Sequence, residues 1–157
     1  MEVAYAPSPW GRQYSELMNT DPTSPYRSAD QLRSLLTQVY SAPQTGENLL
    51  TRHRLAVAFV FSAPELMATV DGRSGEQVVV SFGTGLPQPG LPPPDLTFSM
   101  NGQTAHAFWS GTLNLMTAMG LGQLKLQGSL IDALKIAPMM AALQQAYRAA
   151  WAEQKAG

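Results

Sequence analysis

Residues 111–130, GTLNLMTAMGLGQLKLQGSL, constrain the fold more than any other stretch, because three short elements must fit between closely spaced glycines. Asn114 suits the N-cap of a short helix, where a side-chain oxygen accepts from the free N–H groups of the first turn. Leu115, Met116, Ala118 and Met119 fall within that turn. Gly120 and Gly122 stop it, since glycine tolerates the left-handed backbone of a helix exit. Leu124 and Leu126 then alternate with Lys125 and Gln127, the period of a strand with one wet face. A closing helix starts near Leu130.

The other segments supply the remaining elements. Ser28 and Gln31 form a capping box, and Leu32, Leu35, Leu36, Val39 and Tyr40 recur at helical spacing until Pro43. Residues 43–53 read as a connector with one helical turn. In residues 55–61, Leu55, Val57, Phe59 and Phe61 share one face, while Ala56, Ala58 and Val60 make the other face apolar too. A strand covered on both sides has this pattern. Residues 65–70 and 77–82 are two further strands, joined through Asp71 and Gly72, so an antiparallel meander is expected. Five prolines make residues 83–94 a loop. Residues 95–100 alternate again, with Leu96, Phe98 and Met100 inward, and residues 103–110 form a short helix. Pro138 suits the start of a last helix, whose stripe is Met139, Met140, Leu143, Tyr147, Ala150 and Trp151. The order predicts an α+β fold, a mixed and mainly antiparallel sheet of about five strands covered by helices.

At 157 residues the chain predicts one main domain, residues 28–157. Residues 1–27 stand apart: they hold Pro7, Pro9, Pro22 and Pro25, and also Tyr5, Trp10, Tyr14 and Tyr26. A disordered tail is poor in aromatics, so the segment reads as an ordered arm on its own domain or on a partner chain. A homodimer joined through residues 1–27 is the corresponding partner expectation. Charged residues make up only 13 % of the chain and the net charge is −1, with no basic patch to neutralise phosphates, which argues against nucleic acid. Cysteine is absent, so neither disulfides nor thiolate metal sites are expected. The longest apolar run, residues 55–61, is far short of the ~20 residues of a membrane span. No secretory or peroxisomal signal is legible, and a bacterial, cytoplasmic protein is expected.

The stretch 111–128 resembles the sterol carrier protein 2 family. Gly111, Leu113, Asn114, Met116, Ala118, Gly122, Leu124, Lys125, Leu126 and Gly128 fit that family's pattern at fixed spacing. Asp95, Leu96, Thr97, Phe98 and Met100 fit its strand motif, and Ala133, Leu134, Lys135 and Ile136 a segment after the last strand. The resemblance covers roughly residues 28–152. It implies the element order above, with an apolar tunnel between sheet and helices. The chain departs from the family at Gly102, Gln103 and Thr104, where an acidic cluster is usual. It departs again at Ala105 and His106, where bulky apolar residues are usual, and this departure motivates the alternative of an enzyme or biosynthetic accessory.

Neither a dinucleotide fingerprint nor a nucleophile elbow is present, and the two histidines lie in different elements. His106 is the one candidate for acid–base work or for anchoring a ligand head group. Methionines suit a pocket for variable apolar shapes, and the resemblance implies such a cavity. The expected lining is Phe98, Met100, His106, Phe108, Trp109, Leu113, Met116, Met119, Met139, Met140, Leu143 and Tyr147. The expected function is binding of a lipid, fatty acyl, sterol-like or polyketide-like molecule as carrier or presenter. No metal and no cofactor are expected. The alternative is an enzyme or accessory of hydrophobic natural-product biosynthesis that uses the same cavity, with His106 as acid or base.

Overall fold

Two short apolar strands lie side by side and parallel at the middle of the chain's sheet. The computed structural model describes residues 24–41, 48–83 and 92–156. Strand β1 (Ala56–Ser62) is central in a five-stranded sheet of order β3-β2-β1-β4-β5. β2 (Leu66–Asp71) and β3 (Val79–Gly83) extend it on one side as the expected antiparallel meander. On the other side β4 (Leu96–Asn101) runs parallel to β1, and β5 (Leu124–Gly128) runs antiparallel to β4. The sheet is mixed and mainly antiparallel, and with its helices it makes the α+β fold that the sequence predicts.

A reciprocal clamp between Ala56 and Asp95 sets the parallel register. The Ala56 N–H donates to Asp95 Oδ2 at 2.9 Å, and the Asp95 N–H donates to the Ala56 carbonyl at 2.9 Å. Val57 is thereby opposite Leu96, and Phe59 opposite Phe98. Residues directly opposite share a face, so one row crosses all five strands: Phe82, Ala68, Phe59, Phe98 and Leu126. Rows led by Val57 and Phe61 flank it and complete an apolar face. The opposite face carries Thr69, Ser81, Thr97, Ser99, Lys125 and Gln127.

The second face of β1 departs from its expected cover. Ala56 and Ala58 are fully buried, but Val60 is partly exposed. Ala58 lies between Thr69 and Thr97 of the flanking strands. A methyl group is small enough for neighbouring threonines to cover, so an apolar run of alanines does not by itself demand a second helix layer.

Helices gather on the phenylalanine face. In α1 (Ala29–Ser41) the Gln31 N–H donates to Ser28 Oγ at 3.2 Å, while Gln31 Oε1 accepts from the Arg27 N–H at 2.6 Å. This is the expected capping box with its return bond one residue early. Leu32, Leu35, Leu36 and Val39 are buried, and the Arg33 guanidinium lies 5.2 Å from the Phe82 ring centroid. Asn48 Oδ1 accepts from the Leu50 and Thr51 N–H groups and starts α2 (Leu49–His53). Asn101 likewise caps α3 (Gly102–Ser110), which begins one residue before the expected start. Asn114 caps α4 (Leu115–Gly120) as the sequence predicts, accepting from the Thr117 N–H at 3.0 Å. α5 (Leu130–Ile136) runs through a 3₁₀ turn, Ala137–Met139, into α6 (Met140–Ala156). Pro138 sits in that turn, where its missing N–H costs nothing. Gln144 Nε2 and Arg148 Nη1 of α6 donate to the Phe108 and Ser110 carbonyls at 3.0 and 2.9 Å, closing the free end of α3.

Residues 1–23 of the expected arm lie outside the described residues, as do residues 42–47 of the connector and 84–91 of the proline loop. Among the described residues no helix is long and apolar enough to cross a membrane.

Gly128 ends β5 opposite Leu96 with φ of +120°. A Cβ there would overlap the Asp95 carbonyl, in the clamp that aligns β1 with β4. Gly128→Ala is expected to cost about 2–4 kcal/mol in denaturant unfolding. Gly120→Ala, with open space around the added methyl, should be neutral or stabilising by about 0.5–1 kcal/mol. Equal effects at the two positions would contradict this reading of the clamp.

Candidate functional site

Between the phenylalanine face and helices α4 to α6 lies a cavity of ≈ 250 Å³. The sheet supplies Val57, Phe59, Phe98, Leu124 and Leu126, and α3 supplies Phe108. α4 adds Leu115, Met116 and Met119. α5 and the turn after it add Leu130, Ala133, Leu134, Ile136, Ala137 and Met139. Met140 and Leu143 of α6 close one side, with Tyr40 of α1 and Leu50 of α2 completing the wall. Phe59 stacks with Phe98 at 5.6 Å between centroids, and Phe108 tilts over both at 6.3 and 6.0 Å. These three rings form a rigid aromatic floor.

The rim is as apolar as the floor. Met116 is 78 % exposed, Leu134 64 %, Leu130 62 % and Leu115 44 %, although all four line the cavity. Leu121 and Ile131 are exposed in the same two helical regions. Scattered exposed leucines need no explanation, but a cluster of this size around one opening marks an interaction or ligand site.

Of the residues expected to line a cavity, Phe98, Phe108, Met116, Met119, Met139, Met140 and Leu143 are brought together here. Met100, His106, Trp109, Leu113 and Tyr147 are not among the lining residues. Met100 is buried opposite Phe61 and Leu124, and Leu113 packs against the edge of the core. Trp109 is fully buried behind the floor, tilted against Phe59 at 5.2 Å. The sequence did not single out Leu130 and Leu134 as lining, although two leucines four apart on a short helix mark one face. Leu115 carries the same signal beside Met116 and Met119. Tyr40 and Leu50 carry no local signal, because only the tertiary fold brings α1 and α2 to this wall.

His106 and Tyr147 belong to a second aromatic cluster. His106 Nδ1 and the Tyr147 hydroxyl are 2.9 Å apart, and the Tyr147 and Tyr26 hydroxyls share a 2.7 Å hydrogen bond. The His106 ring also lies 4.4 Å from that of Trp151, with Lys155 5.8 Å from the far ring. Burial, and then the Lys155 charge, hold the His106 pKa below its ordinary value. Burial pushes both tyrosines well above the usual phenol range. The chain of three polar groups ties Tyr26, just before α1, to α3 and α6. Among the described residues lining the cavity no carboxylate, imidazole, amine or thiol is present. Among the described residues no group of three or more His, Asp or Glu side chains could hold a metal ion.

No family model and no curated protein matches this sequence. Solved structures do match. Sterol carrier protein 2 from Yarrowia lipolytica, in its apo form, aligns with TM-score 0.52 and 14 % identity over 72 % of this chain and 89 % of its own. The fold is that of a sterol carrier protein 2 domain. A sterol carrier protein domain 2 of Helicoverpa armigera aligns with TM-score 0.47 and 17 % identity over 85 % of this chain and 87 % of its own. In the sterol carrier protein 2 fold of this chain, the resemblance motif at 111–128 spans α4 and β5, the elements that wall the cavity.

The lowered His106 pKa fixes the direction of a pH effect. As pH falls through about 6.5 the unfolded chain takes up the proton first. This contribution to stability is therefore complete above that pH and is lost on acidification toward the folded-state value. The wild-type melting temperature should fall more steeply between pH 7.5 and 5.5 than that of His106→Gln, which cannot titrate there. Parallel curves for the two proteins would contradict the assignment.

Proposed function

We propose that the cavity binds a hydrophobic small molecule and that the protein acts as its carrier or presenter. The observation that carries this reading is the continuity of an apolar floor with an exposed apolar rim. A rim of leucine and methionine in water is unfavourable unless something covers it for part of the time. A name of the aligned Yarrowia protein, sterol carrier protein, supports the same class of ligand.

Simple magnitudes bound the contact. Removing apolar ligand surface from water contributes ~25 cal/mol per Å². Association costs about 4 kcal/mol or more. A micromolar complex, about 8 kcal/mol, then requires roughly 500 Å² of buried ligand surface. The cavity, at ≈ 250 Å³, is smaller than the ~300–1,000 Å³ of typical ligand pockets. The ligand therefore needs the rim as well as the cavity. α4 and α5 are short and each has its own N-cap, Asn114 and Ser129, so they can shift on the sheet to enclose it. Methionine side chains at positions 116, 119, 139 and 140 adapt to the shape that enters.

The chemistry favours binding over catalysis. Among the described residues the lining offers no acid or base apart from a phenol, and His106 is engaged with Tyr147 in the other cluster.

Displacement of a fluorescent lipid tests the reading, beside native mass spectrometry of gently purified protein. Micromolar or tighter binding of at least one long-chain ligand is expected. Met116→Asp with Leu134→Asp should leave the melting temperature within about 2 °C, because both side chains are exposed. The same pair should weaken binding at least about tenfold by placing charge where apolar ligand surface must lie. Met140→Ala should shift preference toward bulkier ligands. No displaceable ligand, or full binding by the doubly charged variant, would overturn the proposal.

A further inference from the structure

Among the described residues Tyr40 is the one lining residue whose side chain carries a polar group, and it occupies the penultimate position of α1. Its ring stands edge-on to that of the fully buried Trp109, 6.0 Å between centroids, so it belongs to the inner wall and not to the rim. No described residue donates to its hydroxyl or accepts from it. Among the described residues the buried side-chain polar atom that is both sealed and unpaired is Trp109 Nε1, in the ring next to it. Tyr40 in contrast keeps accessible surface and borders the cavity. Burial alone pushes its phenol well above the ordinary range, so the group stays protonated.

Buried polar groups in folded proteins find partners, and one left open toward a cavity is satisfied by what fills the cavity. A phenol both donates and accepts, so it matches a hydroxyl or a carbonyl oxygen equally. It cannot neutralise an anion. Among the described residues no lysine, arginine or histidine lines the wall, so a carboxylate brought to Tyr40 would be desolvated without a counter-charge from them.

We infer that the Tyr40 hydroxyl recognises a neutral oxygen at the buried end of the ligand, and that the cavity selects uncharged amphiphiles, alcohols or ketones, over carboxylates. This rests on the cavity being the ligand site, and it adds the polar group that orients the ligand within it. The apolar body lies along the phenylalanine floor toward the rim, and the oxygen sits at the inner wall.

The test compares 1-dodecanol with dodecanoate at pH 8, each displacing the neutral dye N-phenyl-1-naphthylamine, on the wild type and Tyr40→Phe. The wild type should bind the alcohol about tenfold or more tightly than the carboxylate. Tyr40→Phe should lose about fivefold for the alcohol, the worth of one neutral hydrogen bond. Its affinity for the dye and for dodecanoate should change less than twofold, and its melting temperature should not fall, since the hydroxyl has no protein partner to lose. Dye binding with no preference for the alcohol, or with equal losses for alcohol and carboxylate in Tyr40→Phe, would overturn the Tyr40 assignment and leave the cavity as the ligand site. Failure of the dye and both compounds to bind would overturn the cavity reading, and the inference with it.

Discussion

The parallel pairing of β1 with β4 is the constraint from which the rest of this molecule follows. Asp95 and Ala56 clamp its start with one backbone hydrogen bond and one from the Ala56 N–H to the Asp95 carboxylate, and the register then places Phe59 opposite Phe98. Those two rings, with Phe108 above them, make a floor that cannot collapse into the space over it. Slipping β4 by one residue against β1 would turn Phe98 to the face of Ala58 and Thr69 and leave Phe59 without its partner ring. Floor and cavity would be lost together.

Trp109 divides the helical layer into two regions with opposite chemistry. On one side is the cavity, walled by hydrocarbon and thioether groups. On the other, Tyr26, His106 and Tyr147 satisfy one another's polar atoms among stacked rings. The second region fixes α3 against α6 and holds the residues before α1, so it stiffens the back of the cavity. The front is built differently: α4 and α5 are six and seven residues long and expose much of their apolar surface. The buried, hydrogen-bonded contacts lie behind the floor, and the exposed apolar side chains lie in front of it.

Much of this was legible in the sequence, for definite physical reasons. Period-2 patterns in residues 55–61 and 95–100 marked the strands whose pairing matters. The glycine-bounded stretch 111–128 marked α4 and β5, and Gly128 is held there by a backbone conformation and a close carbonyl that exclude other residues. Seven expected lining residues share the cavity because their stripes are long enough to show a face. His106 does not share it, although it is two positions from Phe108. Two residues on an α-helix are about 200° apart, so neighbours in sequence look to opposite sides of α3. Tyr40 and Leu50 reach the wall only through the packing of α1 and α2, which no local period encodes. Leu130 and Leu134 are exposed, and an exposed leucine in a short helix reads as an irregularity until the opening beside it is seen. The alanines of β1 suggested a second covering layer, yet methyl groups are covered by flanking strands.

The central claim is that an apolar ligand occupies the space between the phenylalanine face and α4 to α6. Methionine methyl resonances report on it directly, since four of the eight methionines line that space. With methyl-labelled methionine, assigned by single Met→Leu variants, titration with 1-dodecanol and then with dodecanoate is expected to shift Met116, Met119, Met139 and Met140 with one saturating dependence. Met67, on the opposite face of the sheet from Phe59, should not move. Saturable binding that shifts Met67 and leaves those four unchanged, or no shift at any of them with either compound, would contradict the account.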